Sequence, residues 1–199
     1  MEDHLKNTIN AYSSSAKEYE ARVAGLHHVT EGEFFMQRIP KGGKILDVGC
    51  ADGRDCKVFS ERGFKVTGID LCPEFLEIAQ AKVPTGTFLN RDMRHLDFKD
   101  NCFDGVWSCA SIVHMNRSGV IKFLGEAYRV LKDEGVIYLA AKEGPQSTPS
   151  SAKTYFFYDK KTIKEFIAGS GLKLTYLSGA NKIQVGNDVH SEVRAFARK

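Results

Sequence analysis

Residues 44–55 (Lys-Ile-Leu-Asp-Val-Gly-Cys-Ala-Asp-Gly-Arg-Asp) constrain the fold of this chain more than any other stretch. An apolar run of strand length ends at Gly49, and small residues continue to Gly53, before a segment of helical composition without proline or glycine. Because glycine has no Cβ and adopts positive φ, a ligand can lie against the backbone of such a turn, and the free amides at the start of the helix favour a flat or anionic group. The stretch therefore predicts a strand, a ligand-binding turn and a helix.

Several ligands bind turns of this kind, and the spacing of the glycines distinguishes them. A dinucleotide-binding turn reads Gly-x-Gly-x-x-Gly, whereas this chain has Gly49-x-Ala51-x-Gly53 with no third glycine. A phosphate loop ends in Gly-Lys followed by Ser or Thr, and that ending is missing after Gly53. Asp47, at the carboxyl end of the strand, would repel a pyrophosphate. The turn thus favours a ligand that carries positive charge.

Five motifs match one family in chain order. Residues 46–53 resemble the first motif of the class I S-adenosylmethionine-dependent methyltransferases, Asp/Glu-x-Gly-x-Gly-x-Gly, with Ala51 in place of the middle glycine. In the same order, residues 66–71, 91–93, 103–108 and 128–135 resemble the second, third, fourth and fifth motifs of that family. The resemblance implies a Rossmann-like α/β fold, a doubly wound seven-stranded sheet of order 3-2-1-4-5-7-6 whose last strand is antiparallel. It also implies S-adenosylmethionine as cofactor, with S-adenosylhomocysteine as product.

The length of 199 residues fits a single domain with a full-sized core. Within it, the resemblance implies four parts. They are an N-terminal helical lid segment (1–40), a donor-binding core (41–142), an acceptor-side loop (143–158), and a C-terminal helix and hairpin (159–199).

Acidic residues after the second and third strands are the main expected donor contacts. Asp70 lies about 20 positions after Gly49, where an acidic residue meets ribose hydroxyls in nucleotide-binding βαβ units. The resemblance implies that Asp92 and Met93 bind adenine. Carried over position by position, the donor-binding residues are Tyr19, Asp47, Gly49, Ala51, Gly53, Asp70, Leu71, Asp92, Met93 and Cys109.

His114 is the candidate catalytic residue, because it follows the fourth strand at the edge where open α/β sheets bind ligands. It is the titratable side chain of that segment that could act as a base near neutral pH. A hydroxyl acceptor needs such a base, while an amine needs little beyond alignment. The alternative is that His114 packs near the amino-acid end of the donor. With no clustered carboxylates after that strand, no metal is expected.

The N-terminal segment has apolar and aromatic residues at alternating intervals of four and three, which predicts an amphipathic helix or helix pair that breaks near residues 13–15. It resembles the aromatic segment that small methyltransferases fold over the donor, with Tyr19 as first and Tyr12 as second choice, and Arg22 as a possible partner of the donor carboxylate. The acceptor is expected between this segment, residues 108–115, and the loop with four aromatics at 155–158. Aromatic walls suit a planar, apolar or cationic acceptor.

Composition and motifs argue against several classes of function. The net charge of +3 is small, and the basic residues do not form a block. The Asn/Asp-Pro-Pro-Tyr signature of enzymes that methylate nucleic-acid bases is also missing. Both observations argue against a nucleic-acid substrate without excluding it. The five cysteines are not spaced as zinc ligands. No signal peptide or long apolar stretch is recognisable, so a cytoplasmic protein with reduced thiols and no membrane contact is expected.

The sequence thus predicts a methyltransferase that acts on an oxygen or nitrogen of a small molecule. Its motifs bind the donor and leave the acceptor, the pathway and the oligomeric state open. RNA methylation, specifically of tRNA, and a catalytically silent donor-binding partner protein are the alternatives. A nicotinamide-dependent oxidoreductase competes at the level of the fold, and the missing third glycine and Asp47 count against it.

Overall fold

A seven-stranded mixed sheet lies at the centre of the computed structural model, which describes residues 3–23, 29–144, 148–149, 153–185 and 188–199. The strands are β1 (Lys44–Val48), β2 (Lys65–Asp70), β3 (Thr87–Asn90), β4 (Phe103–Cys109), β5 (Leu131–Lys142), β6 (Thr148–Pro149), β7 (Thr154–Tyr155), β8 (Lys173–Val185) and β9 (Asp188–Arg198). β6 and β7 form a separate pair, and the large sheet has the order β3-β2-β1-β4-β5-β9-β8. Strands β1 to β5 are parallel, and β9 is antiparallel to β5 and β8. Since β8 and β9 are its sixth and seventh strands, the predicted order is confirmed.

Helices cover both faces of this sheet. They are α1 (Asp3–Ser13), α2 (Ala16–Val23), α3 (Val29–Met36), α4 (Arg54–Glu61), α5 (Pro73–Lys82), α6 (Arg117–Val130) and α7 (Lys160–Gly169), with a 3₁₀ turn at Ile112–His114. Three of these helices begin at residues that favour a helix start. α5 begins at its proline. The side chain of Asn116 caps α6 by accepting from Gly119 N at 2.9 Å, and the side chain of Asp159 caps α7 by accepting from Thr162 N at 2.8 Å.

Each face of the sheet has its own apolar core. On one face, α6 and α7 pack through Phe123 and Phe166 onto the apolar side chains of β4 and β5. On the other face, Phe35 of α3 packs beside Trp107, which stacks on Tyr138 with ring centroids 4.1 Å apart. Strands buried on both faces need nearly continuous apolar sequence, which is why β1, β4 and β5 were recognisable.

The N-terminal segment forms the predicted helix pair, which breaks at Ser14 and Ser15. It packs on α5 at the carboxyl ends of the parallel strands, because the rings of Tyr12 and Tyr19 lie 5.7 and 5.1 Å from Phe75. This helix pair therefore covers the edge of the sheet where a ligand is expected.

The C-terminal hairpin is longer than predicted. The sequence indicates strands at 173–177 and 192–197, but β8 and β9 continue to pair beyond the end of β5, from Asn181↔Glu192 to Val185↔Asp188. A bulge precedes this extension and includes Ala180, which has φ 57°. The bulge accounts for the turn-like composition of the sequence at this point. In the predicted loop before residue 153, β6 pairs with β7, while residues 145–147 and 150–152 lie outside the described chain.

Candidate functional site

The turn after β1 is held by backbone hydrogen bonds at positive φ. The amides of Gly49 and Cys50 donate to the carbonyl of Ile69 at 2.8 and 3.0 Å. Gly49 has φ +70°, and a Cβ there would lie 2.4 Å from the Cβ of Ser111, so only glycine fits. Ala51 has φ 45°, which costs an L-residue about 1 kcal/mol. Such strain is typical of turns whose shape serves a ligand.

Gly53 supports the turn from behind. Its φ is +73°, and a Cβ there would lie 2.8 Å from the Cβ of Ala79 on α5. The third small residue of the motif thus allows α4 and α5 to approach closely.

We expect Gly53→Ala to lower the free energy of unfolding by about 2 kcal/mol, because it adds a left-handed alanine and an overpacked contact. Gly63→Ala is the matched control, since Gly63 also has positive φ (+85°) but nothing within 4 Å of the added Cβ. Urea unfolding followed by the fluorescence of Trp107 measures both variants. Equal losses in the two variants would show that the contact with Ala79 contributes nothing.

Asp70, at the end of β2, connects two segments of the site. Its Oδ2 accepts from Ala51 N at 3.0 Å, and its Oδ1 accepts from Cys72 N at 2.9 Å. Burial raises the pKa of this carboxyl above its usual value, against the opposing effect of these amides. Each oxygen retains a lone pair for a further donor.

Asp92 forms a local ion pair. Its carboxylate accepts from the Arg94 guanidinium, with Nη2 at 2.7 Å from Oδ2, and from Arg94 N at 2.9 Å. Burial opposes ionisation, but these bonds outweigh it and hold the pKa of Asp92 below its usual value. The carboxylate is therefore charged and its orientation is fixed.

Asp47 lies deeper, in a small polar side pocket of about 30 Å³ that Tyr19, Gly49 and Cys109 also line. Its Oδ2 accepts from the Sγ of Cys56 at 3.3 Å. Burial and the nearby charge of Asp55 raise the pKa of Asp47 well above its usual value. A buried carboxylate of this kind is stabilised by a cation placed beside it.

A cavity of about 110 Å³ lies at the carboxyl ends of β1, β2 and β4, beneath α1. Most predicted site residues line it: Tyr19, Gly49, Ala51, Asp70, Leu71, Asp92, Met93, Cys109 and His114. Asp47 and Gly53 do not belong to its lining. The structure thus brings residues of the first three motifs together with Cys109, which directly follows the fourth.

Tyr12 and His114 form a hydrogen-bonded chain at the wall of this cavity. The His114 Nδ1 donates to the carbonyl oxygen of Thr154 at 3.0 Å, which leaves Nε2 bare to accept from the Tyr12 hydroxyl at 3.1 Å. This tautomer is assigned from the network, because a carbonyl can only accept. Burial lowers the pKa of His114 to about 4, and the charges of Lys153 and Lys142 act in the same direction. The imidazole is therefore neutral at pH 7.

This buried histidine predicts a loss of stability in acid. Because the folded-state pKa of about 4 lies below the ordinary 6.5, the unfolded chain binds the proton more tightly, and stability falls as the pH drops below 6.5. Between pH 7 and 4.5 this one group removes about 2 kcal/mol. Urea titrations of wild type and His114→Gln at both pH values measure it, and the variant should lose about 2 kcal/mol less. The same pH response in both proteins would contradict the lowered pKa.

A second cavity of about 480 Å³ adjoins the first, and Tyr12, Tyr19, Cys109, Ala110 and His114 line both. The hairpin arm of β8 and β9 supplies part of its wall, including Ile183, His190, Glu192 and Arg194. Sequence reasoning missed these hairpin residues and gave Tyr12 second place. The helical spacing of Tyr12 was the one sequence signal for this cavity. No local pattern in the sequence marks the hairpin residues as part of a site.

The described residues contain neither a metal-binding cluster nor a helix that could span a membrane. No group of three or more His, Cys, Asp or Glu side chains there is arranged to hold a metal ion. None of the helices in this part of the chain has the length and apolar character that crossing a membrane requires.

Comparison with known proteins agrees with this geometry. Residues 45–135 match a family model described as "Methyltransferase domain". A malonyl-[acyl-carrier protein] O-methyltransferase of Serratia marcescens is 32% identical over 128 residues, which are 64% of this chain and 49% of that protein. A demethylmenaquinone methyltransferase of Chlorobaculum tepidum is 34% identical over 134 residues, 67% of this chain and 54% of that protein. The chain spans about half the length of these curated relatives.

A solved structure shares the fold. It is the 1,6-didemethyltoxoflavin-N1-methyltransferase of Burkholderia thailandensis, with bound 1,6-didemethyltoxoflavin and S-adenosylhomocysteine. The TM-score is 0.77 at 18% identity, over 96% of this chain and 86% of that chain. Motifs, sheet order, family model and relatives agree, and the chain belongs to the class I S-adenosylmethionine-dependent methyltransferases.

Proposed function

We propose that this protein transfers a methyl group from S-adenosylmethionine to an oxygen or nitrogen atom of a small-molecule acceptor. The observation that supports this most directly is the pair of adjoining cavities, which meet at Tyr12, Tyr19 and His114. One cavity is lined by the motif residues of the family, and the other by residues outside the motifs. Donor and acceptor would occupy one cavity each.

The donor roles follow from what each side chain offers. Asp70 accepts hydrogen bonds from the ribose hydroxyls with the lone pairs that Ala51 N and Cys72 N leave unused. Asp92 and Met93 face the adenine, and Asp47 stabilises the ammonium of the donor from its side pocket. Gly49, which has no side chain, lets the donor lie against the backbone of the turn.

Methyl transfer from a sulfonium is a displacement, for which the protein has to align the acceptor and exclude water. The helix pair α1–α2 acts as a lid, because its Leu5, Ile9 and Tyr12 close the cavity against solvent. The Tyr12 oxygen accepts the hydrogen of the acceptor O–H or N–H, and His114 Nε2 is placed to take the Tyr12 proton. The lowered pKa of about 4 keeps His114 neutral and able to accept, and it also makes the imidazole a weak base.

The donor assignment is tested by calorimetric titration with S-adenosylmethionine, S-adenosylhomocysteine and NADH. Binding of the first two without NADH supports the proposal, and the reverse would make the protein an oxidoreductase. A metabolite screen with isotope-labelled methyl donor then identifies the acceptor.

The two alternative functions, RNA methylation and silent donor binding, would give different results in these experiments. Salt-sensitive retention of tRNA, with label incorporated into it, would identify an RNA methyltransferase. Donor binding without a labelled product, together with a copurifying second polypeptide, would identify a silent donor-binding partner.

A further inference from the structure

The second cavity has an excess of positive charge in its lining. Arg22, Arg54, Lys142 and Arg194 line it, and the carboxylates there are those of Glu31 and Glu192. Cavities lined by one sign of charge concentrate ligands of the opposite sign.

The two carboxylates are already engaged within the protein. Arg194 donates through Nη1 to Glu31 Oε1, and through Nε to Glu192 Oε2 at 3.3 Å. Arg54 likewise binds Asp55 through two bonds, at 2.8 and 3.0 Å. Both carboxylates of the cavity are thus paired with Arg194.

Two cations, Arg22 of the second cavity and Lys153, lie against tyrosine rings that line both cavities. The Lys153 Nζ lies 3.7 Å from the ring centroid of Tyr12, and the Arg22 Cζ lies 5.3 Å from that of Tyr19. The two rings are in edge contact, with centroids 5.5 Å apart. Among the described residues, neither cation has a carboxylate within ion-pair distance. Burial and the charge of Arg22 both lower the pKa of Lys153, as expected for two like charges near each other.

An arrangement of this kind is unfavourable until an anion enters. A partly buried cation loses solvation, and a face contact with a tyrosine ring recovers only part of that loss. An oxyanion between two cations removes the repulsion and forms charge-assisted hydrogen bonds.

We propose that the methyl acceptor carries an oxyanion group, a carboxylate or a phosphate, which Arg22 and Lys153 bind where the two cavities meet. The inference rests on the proposed function, because it assigns the second cavity to the acceptor. The oxyanion would be held beside the rings of Tyr12 and Tyr19, and the methylated atom would lie on the same molecule.

The test uses protein saturated with S-adenosylhomocysteine and titrates it with benzoate, phenyl phosphate and the uncharged benzamide. Aromatic probes are chosen because Tyr12 and Tyr155 line the second cavity. We expect at least one anion to bind about tenfold or more tightly than benzamide, and Arg22→Gln and Lys153→Gln each to remove that preference. Lys17→Gln, which removes an exposed charge from the same helix pair, should keep it.

The outcomes separate this inference from the proposed function. Equal binding of anions and benzamide, or no binding of either anion at millimolar concentration, overturns the inference if S-adenosylhomocysteine itself binds. An anion preference that persists in both variants does the same. If Arg22→Gln weakens S-adenosylhomocysteine binding and leaves the preference intact, Arg22 binds the donor carboxylate and the proposed pair is wrong. Failure of wild-type protein to bind S-adenosylhomocysteine overturns the donor assignment and this inference with it.

Discussion

Replacing Asp70 with alanine is expected to weaken the binding of S-adenosylmethionine about a hundredfold or more, because two charge-assisted hydrogen bonds to the ribose, worth about 1.5 to 3 kcal/mol each, are lost. In the wild type, the Asp70 carboxylate accepts from Ala51 N and Cys72 N and so connects the glycine turn to the start of α5. The substitution removes this connection as well. Calorimetric titration of donor and product gives the affinities, and thermal unfolding shows whether the variant folds.

Two further variants make this result interpretable. Asp70→Asn keeps one amide acceptor and loses the charge, so it should fold well and still bind the donor more weakly than wild type. Asp133→Ala removes an exposed aspartate far from the cavity and should leave the affinity unchanged. Unchanged donor affinity in folded Asp70→Ala would refute the ribose assignment.

Tyr12→Phe and His114→Gln should each reduce turnover about 10²-fold to 10⁴-fold for a hydroxyl acceptor, since both remove the route for its proton. Donor affinity should change little, because the proposal gives the Tyr12 hydroxyl and the His114 imidazole no hydrogen bond to the donor. The two residues form one hydrogen-bonded chain, so the double variant should be scarcely slower than either single variant. Initial rates at saturating donor measure this once an acceptor is known.

The matched control for the hydroxyl deletion is Tyr176→Phe on β8, where the side chain is about half exposed, with a relative accessibility of 48%. It should retain full activity. Full activity in Tyr12→Phe would rule out the tyrosine, and independent, multiplicative losses in the double variant would show that the pair does not act as a unit. An amine acceptor would reduce the effect of both variants, because an amine that is already deprotonated needs only alignment.

Much of the fold could be predicted because its signals are local. The sequence pattern predicts a strand at Phe103–Cys109 and a helix from about Lys160 to Gly169, and the structure has both. Both combine a clear apolar pattern with a definite boundary, such as the cap at Asp159. The β8–β9 extension was missed because the pairing passes a bulge whose composition resembles a turn.

The sequence by itself determined the sheet, the glycine turn and the candidate donor residues, since a turn at the end of a buried strand needs particular residue types at fixed spacing. Only the tertiary structure decided which groups face one another. It paired Tyr12 with His114, engaged Glu31 and Glu192 with Arg194, and left Arg22 and Lys153 on adjacent tyrosine rings. Such contacts join residues far apart in the chain, and their energies depend on distance and burial, which no local pattern records.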